Sequence, residues 1–173
     1  MKTRAKTARD VYKRQGVLTA VVFVAQVAMG FLPNIELVTL LFILYTLAFG
    51  KKVFLMIYVF VLLEGIFYGF GLWWLNYTYI WTVQALVTLV FRKQTSPLFW
   101  SVLSGFYGIT FGALCAIPYF FMGGPSSAFA YWISGIPYDI PHCIGNVLLC
   151  LLLFKPLRNL LEQLLRRGAQ LEL

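Results

Sequence analysis

The sequence predicts an all-α membrane protein: a six-transmembrane-helix bundle with both termini cytoplasmic, plus a C-terminal amphipathic helix. Three observations carry this. Of 173 residues, 61% are hydrophobic and only 12% are charged, about half the charge of an ordinary soluble domain. So much apolar surface calls for lipid as a solvent. The apolar residues fall into six runs, at roughly 16–32, 36–50, 53–72, 77–91, 98–121 and 129–154. The fourteen Lys and Arg occupy the two ends and alternate connections, and no others.

Residues 1–15 form a basic arm. Its "RDVYKRQ" (Arg9 to Gln15) fits poorly with the apolar run after it and looks like a translated adapter scar, so the arm is set aside as foreign and no function is placed on it. After the first run comes Phe31-Leu32-Pro33-Asn34 rather than a small-residue cleavage site. The run is therefore expected to be a first span and not a signal peptide. A full span needs about 20 residues. The second and fourth runs are shorter and require packing, tilt or interfacial flanks. Every boundary nevertheless carries a polar or turn signal, which supports six spans over residues 16–156.

Lys51 and Lys52 separate spans two and three, and Arg92 and Lys93 separate four and five. Six basic residues precede span one, and Lys155, Arg158, Arg166 and Arg167 follow span six. The remaining connections, at Pro33–Glu36, around Trp73–Asn76 and at Met122–Ser127, have none. By the positive-inside rule these three face outward and both termini lie in the cytoplasm. In the tail, 157–173, Leu157, Leu160, Leu161, Leu164 and Leu165 follow helical spacing between arginines. That pattern predicts an amphipathic helix on the cytoplasmic membrane face or on a partner.

Asp10, Glu162 and Glu172 fall in the cytoplasmic parts, and Glu36 sits at the outer rim. Glu64 and Asp139 lie inside spans, where an ionised group facing lipid would cost several kcal/mol. At about 1.5 Å per residue, Glu64 falls just outside the midplane. On the same count Gln84 lies about 10 Å, and Asp139 about 15 Å, below the outer surface. Three non-adjacent spans thus place polar groups in one layer, as a cavity open to the outside would require. Within "GIPYDIPHCIGN", Asp139, His142 and Asn146 share one helical face by spacing. Pro137 and Pro141 release the carbonyls of Ile133 and Pro137 from helical bonding, which a membrane tolerates only beside protein or water. The stretch reads as the polar wall of a pocket. Its competing reading is interhelical glue, and for Glu64 the following Gly65 and Gly69 also fit close helix packing.

Trp73, Trp74, Asn76, Tyr77, Tyr79 and Trp81 flank the second outer connection, and Tyr131 and Trp132 open span six. Most such aromatics form an interfacial belt, yet the set could stack a flat ring arriving from outside. "MGGPSS" suits a lid or a plain turn. Cys115, Cys143 and Cys150 lie in apolar runs and form no CxxC, so they read as small buried hydrophobes. No Walker motif, metal-ligand helix or catalytic triad is present. No cofactor, metal or nucleic-acid partner is expected. A small membrane enzyme using Asp139 and His142 as an acid–base pair, and a stand-alone carrier, are the alternatives to a binding subunit.

The opening "LTAVVFVAQVAMGFLPNIELVTLLFILYTLAFGKK", the stretch "FVLLEGIFYGFGLWW" and "GGPSSAFAYWISGIPYDIPHCIGNVLLCLLLFKPL" together resemble the S components of energy-coupling factor (ECF) vitamin transporters over roughly residues 16–160. The resemblance implies a prokaryotic plasma-membrane subunit, not itself an enzyme, that binds a vitamin or related small molecule from outside. It implies as partners a membrane coupling protein and two ATPase subunits, which topple the S component to release its substrate inside. In the family, small residues on the first span form the docking surface. Here these are Gly16, Ala20 and Ala28, with Val24 departing from the expected alanine. The substrate-binding residues expected are Glu64, Trp73, Trp74, Asn76, Tyr77, Gln84, Tyr131, Trp132, Asp139, His142 and Asn146. With no Lys or Arg in the outer half, a neutral or cationic heteroaromatic ring is favoured over an anion. Benzimidazole-, pyrimidine-, thiamine- and deazapurine-like compounds all fit, and cobalamin stays open.

Overall fold

A computed structural model describes residues 2–170, with side chains over 12–166. The side chains of the arm before Tyr12 and of the tail after Arg166 lie outside the described residues. The chain is all-helical, without a strand among the described residues. Its elements are α1 (Lys2–Met29), α2 (Val38–Phe49), a 3₁₀ turn (Gly50–Lys52), α3 (Val53–Tyr68), α4 (Leu72–Val90), α5 (Pro97–Cys115) and α6 (Ile117–Gln170).

Side-chain contacts fix how consecutive helices run. The rings of Phe42 and Phe60 are 5.4 Å apart, where one continuous helix would separate them by about 27 Å. The chain therefore doubles back at the 3₁₀ turn, and Gly50 supplies a positive φ of 57° there. A second hairpin joins α3 to α4, tied where the Trp74 indole N–H donates to the Val61 carbonyl at 2.8 Å. A third joins α4 to α5. Here Ser96 caps the helix by accepting from the Phe99 amide, and Pro97 stands at its first position, where its missing N–H costs nothing.

The fourth hairpin lies within α6, which is broken at Gly124 (φ 75°, ψ −174°). Tyr119 and Tyr131 stack across this break at 4.0 Å. From there the chain runs back along α5. Gly105 meets Val147, Gly108 meets the backbone of Cys143, Gly112 meets Asp139, and Trp100 stacks on Phe154 at 6.2 Å. The glycines let the two backbones approach closely, as small residues do between helices in lipid. At the other side of the bundle α1 runs parallel to α3. Gln15 donates to the Lys52 carbonyl at one end, and Phe23 touches Phe67 toward the other.

Three boundaries differ from the sequence reading. The connection expected around Trp73–Asn76 lies earlier, at Gly69–Gly71, where Gly69 takes a positive φ of 87°, and Trp73–Asn76 belong to the first turns of α4. Helix α1 is continuous through residue 15, and α6 passes Pro156 without a break. Proline removes a single helical bond to the residue four before it, and one such loss can be absorbed where the flanking turns are packed. Here Leu161 is buried and Arg14 Nη1 donates to the Leu165 carbonyl. One leucine face of the tail is thereby docked on the start of α1, while Leu160 and Leu164 stay exposed.

By length and composition, three helical stretches are apolar enough to cross a membrane: Val38–Tyr68, Pro97–Cys115 and Ile117–Arg166. Large apolar side chains also cover the outside of the bundle, among them Leu62 and Ile66 of α3, Val102 and Phe106 of α5, and Leu148 and Leu152 of α6. These features mark the chain as a membrane protein.

Candidate binding site

The connection between α1 and α2, residues 30–37, folds over one end of the bundle and roofs a cavity of about 160 Å³. Its walls are aromatic: Tyr77 and Trp81 from α4 and Phe111 from α5. Polar groups enter from Gln26 of α1, from Asn34 and Glu36 of the roof, and from His142 of α6. No Lys or Arg lines it. Three larger hollows, of about 290, 390 and 550 Å³, have mostly apolar walls that include exposed Leu164, Phe121 and Phe106 respectively. They offer no comparable set of convergent polar groups.

Three contacts hold the roof to α6. The Asn34 side-chain amide donates to the Tyr138 carbonyl at 3.1 Å, and Asn34 takes the positive φ (56°) that asparagine tolerates. Ile35 packs over Gly145. The Glu36 carboxylate meets His142 Nε2 at 3.2 Å. Glu36 also accepts from the Thr39 amide at 2.8 Å and from the Thr39 hydroxyl, so it caps the first turn of α2. Burial alone would push its carboxyl up. The hydrogen bond and charge of His142, joined by the Thr39 bonds, outweigh this and hold it below the usual carboxylate range. The His142 ring rests edge-on against Phe111 at 4.9 Å.

Of the expected substrate-binding residues, the structure places Tyr77 and His142 on this cavity. The others stand elsewhere. Asn146 ties three helices together, donating to the Thr39 hydroxyl and the Ser104 carbonyl. Gln84 donates to the Thr39 carbonyl at 2.7 Å. Asp139 turns toward α5, where one oxygen accepts from the Gly112 amide at 3.0 Å and the other has no partner among the described residues. Glu64 is buried in α3 with one oxygen unpartnered among the described residues. Asn76 accepts from the Tyr79 hydroxyl. Trp74 secures its hairpin, Trp73 packs edge-on against Tyr77 at 5.3 Å, and Tyr131 stacks on Tyr119. Trp132 lines the 390 Å³ apolar hollow. Gly16, Ala20, Val24 and Ala28 all lie on the exposed face of α1, opposite buried Gln15, Thr19 and Val22.

Glu36, Trp81 and Phe111 also line the cavity; the sequence reading set Glu36 at the rim, named Trp81 only as one of the outer aromatics that could stack a ring, and did not name Phe111. Counting depth from the start of each run set Glu36 at the rim and His142 far below it. The count failed because the returning arm of α6 begins near Pro125, well before His142, which meets Glu36 at the start of α2, so that arm stands several turns beyond the start of α2. Among the described residues no group of three or more His, Cys, Asp and Glu could hold a metal. The arrangement can stack a flat ring and accept hydrogen bonds from its edge.

No protein family, curated protein or solved structure matches the chain.

Proposed function

We propose that this chain is the substrate-binding subunit of an ATP-driven uptake system, similar to the S component of an ECF vitamin transporter. Six helices cross the plasma membrane of a prokaryote, both termini are cytoplasmic, and the cavity under residues 30–37 opens toward the outside. It binds a vitamin or a related small heteroaromatic molecule. A membrane coupling protein and two ATPase subunits complete the machine, and the face bearing Gly16, Ala20, Val24 and Ala28 docks on the coupling protein.

The observation that carries this reading is the roofed cavity, with its aromatic walls and the Glu36–His142 pair. Like small-molecule sites it is concave and sets aromatic walls against a few placed polar groups. Its end of the bundle holds the three connections without Lys or Arg, which supports an outward orientation. The exposed small-residue face of α1 supports docking of a partner helix.

The test is to purify the protein in detergent without added ligand, record native mass spectra, and identify what is released. A stoichiometric heteroaromatic compound is expected. An empty protein that no vitamin stabilises against heat would sink the proposal and leave the enzyme and carrier readings to be tried.

A further inference from the structure

We propose that Glu36 selects the ligand: the cavity takes a small planar nitrogen heterocycle that gives an N–H edge to the Glu36 carboxylate. The inference rests on the reading of this cavity as the binding site, and it assigns the discrimination to one residue.

The Glu36 carboxylate accepts three bonds in the structure. The Thr39 hydroxyl and His142 Nε2 go to one oxygen, and the Thr39 amide to the other. An ionised carboxylate has about four acceptor sites. One therefore remains, on the oxygen that faces the Thr39 amide. The three existing bonds hold the group still, so it meets a ligand already oriented. The Glu36 side chain keeps 12% of its surface exposed while it lines the cavity.

The aromatic walls supply the complement. Trp81 is buried and lines the same cavity. Tyr77 and Trp81 meet edge to face at 5.5 Å, so together they form one aromatic wall against which a flat ring can lie.

Size and charge narrow the class. A cavity of 160 Å³ matches the engineered cavity of about 150 Å³ that holds benzene, so the recognised part is one small ring system. A carboxylate or phosphate would meet Glu36 with no Lys or Arg to offset it. His142 is already engaged by Glu36 and cannot serve as an independent anion site.

The experiment measures binding to the full chain in detergent by calorimetry, with 4-aminopyrimidine, benzimidazole and pyridine-3-carboxylate as probes. Wild type is expected to bind the first two and to reject the carboxylate. Glu36→Gln should weaken 4-aminopyrimidine about tenfold or more, the loss of a charged hydrogen bond. Equal or tighter binding of pyridine-3-carboxylate by wild type overturns the inference and needs no variant to fold. Unchanged 4-aminopyrimidine affinity in Glu36→Gln also overturns it, while leaving the cavity as the binding site. Failure of wild type to bind any of the three removes the cavity reading and the inference with it.

Discussion

The α5–α6 crossing positions His142 beneath the roof, and Gly108 is where that crossing can be disturbed most directly. A methyl group on Gly108 would lie 2.8 Å from the Cys143 nitrogen and 2.9 Å from both Cys143 Cα and the His142 carbonyl carbon. These are backbone atoms and cannot rotate away. Restoring ordinary contact at 3.4 Å requires α6 to retreat by about 0.6 Å, and the retreat would carry His142 with it. Overpacking of this kind costs about 1–3 kcal/mol. Alanine also brings up to about 1 kcal/mol of helix propensity relative to glycine, which would obscure the clash. Gly135→Ala provides the reference, because Gly135 is helical and nothing lies within 4 Å of its methyl position. The difference between the two variants isolates the clash. At about 2–4 °C per kcal/mol for a chain of this size, Gly108→Ala should melt roughly 2–12 °C below Gly135→Ala in detergent. Gly108→Ala melting at or above Gly135→Ala would refute the close backbone approach.

Two further outcomes are expected. Because Glu36 is held below its ordinary range, its contribution is complete above an unfolded value of about 4.3 and is lost as pH falls through the lower folded value. Wild type should therefore lose melting temperature on acidification below about pH 5 more steeply than Glu36→Gln, and parallel profiles would remove the ionised pair from the account. In a variant with Cys115, Cys143 and Cys150 replaced by alanine, Ser126→Cys should react with an impermeant maleimide on intact cells. Lys93→Cys should react only after permeabilisation, and the opposite pattern would invert the proposed orientation.

Much of the helical layout was legible in the sequence. Three of the four hairpin turns fall where the apolar runs were expected to break, at Gly50–Lys52, Phe91–Ser96 and Gly124–Pro125, whereas the fourth, at Gly69–Gly71, lies inside the expected third run and ahead of the expected connection at Trp73–Asn76. Backbone geometry explains this, since reversal needs residues that leave the helical region, and few types do so readily. The site was less legible. Asp139, His142 and Asn146 do share a broad face by spacing, but that face meets two different neighbours. His142 and Asn146 reach Glu36 and Thr39 on the α2 side, whereas Asp139 reaches Gly112 on α5. Helical periodicity gives the angle of a side chain about its own axis and says nothing of which helix stands opposite.

The sequence by itself determined that the chain is helical and membrane-embedded, because composition and hydropathic period are local properties summed along the chain. It also determined where most of the turns fall. Only the tertiary structure decided that Glu36 meets His142 across 106 positions, that Trp81 and Phe111 face them, and that residues 30–37 form the roof. Those facts depend on the relative height of neighbouring helices, and that height is set by how the glycines of α5 seat against α6.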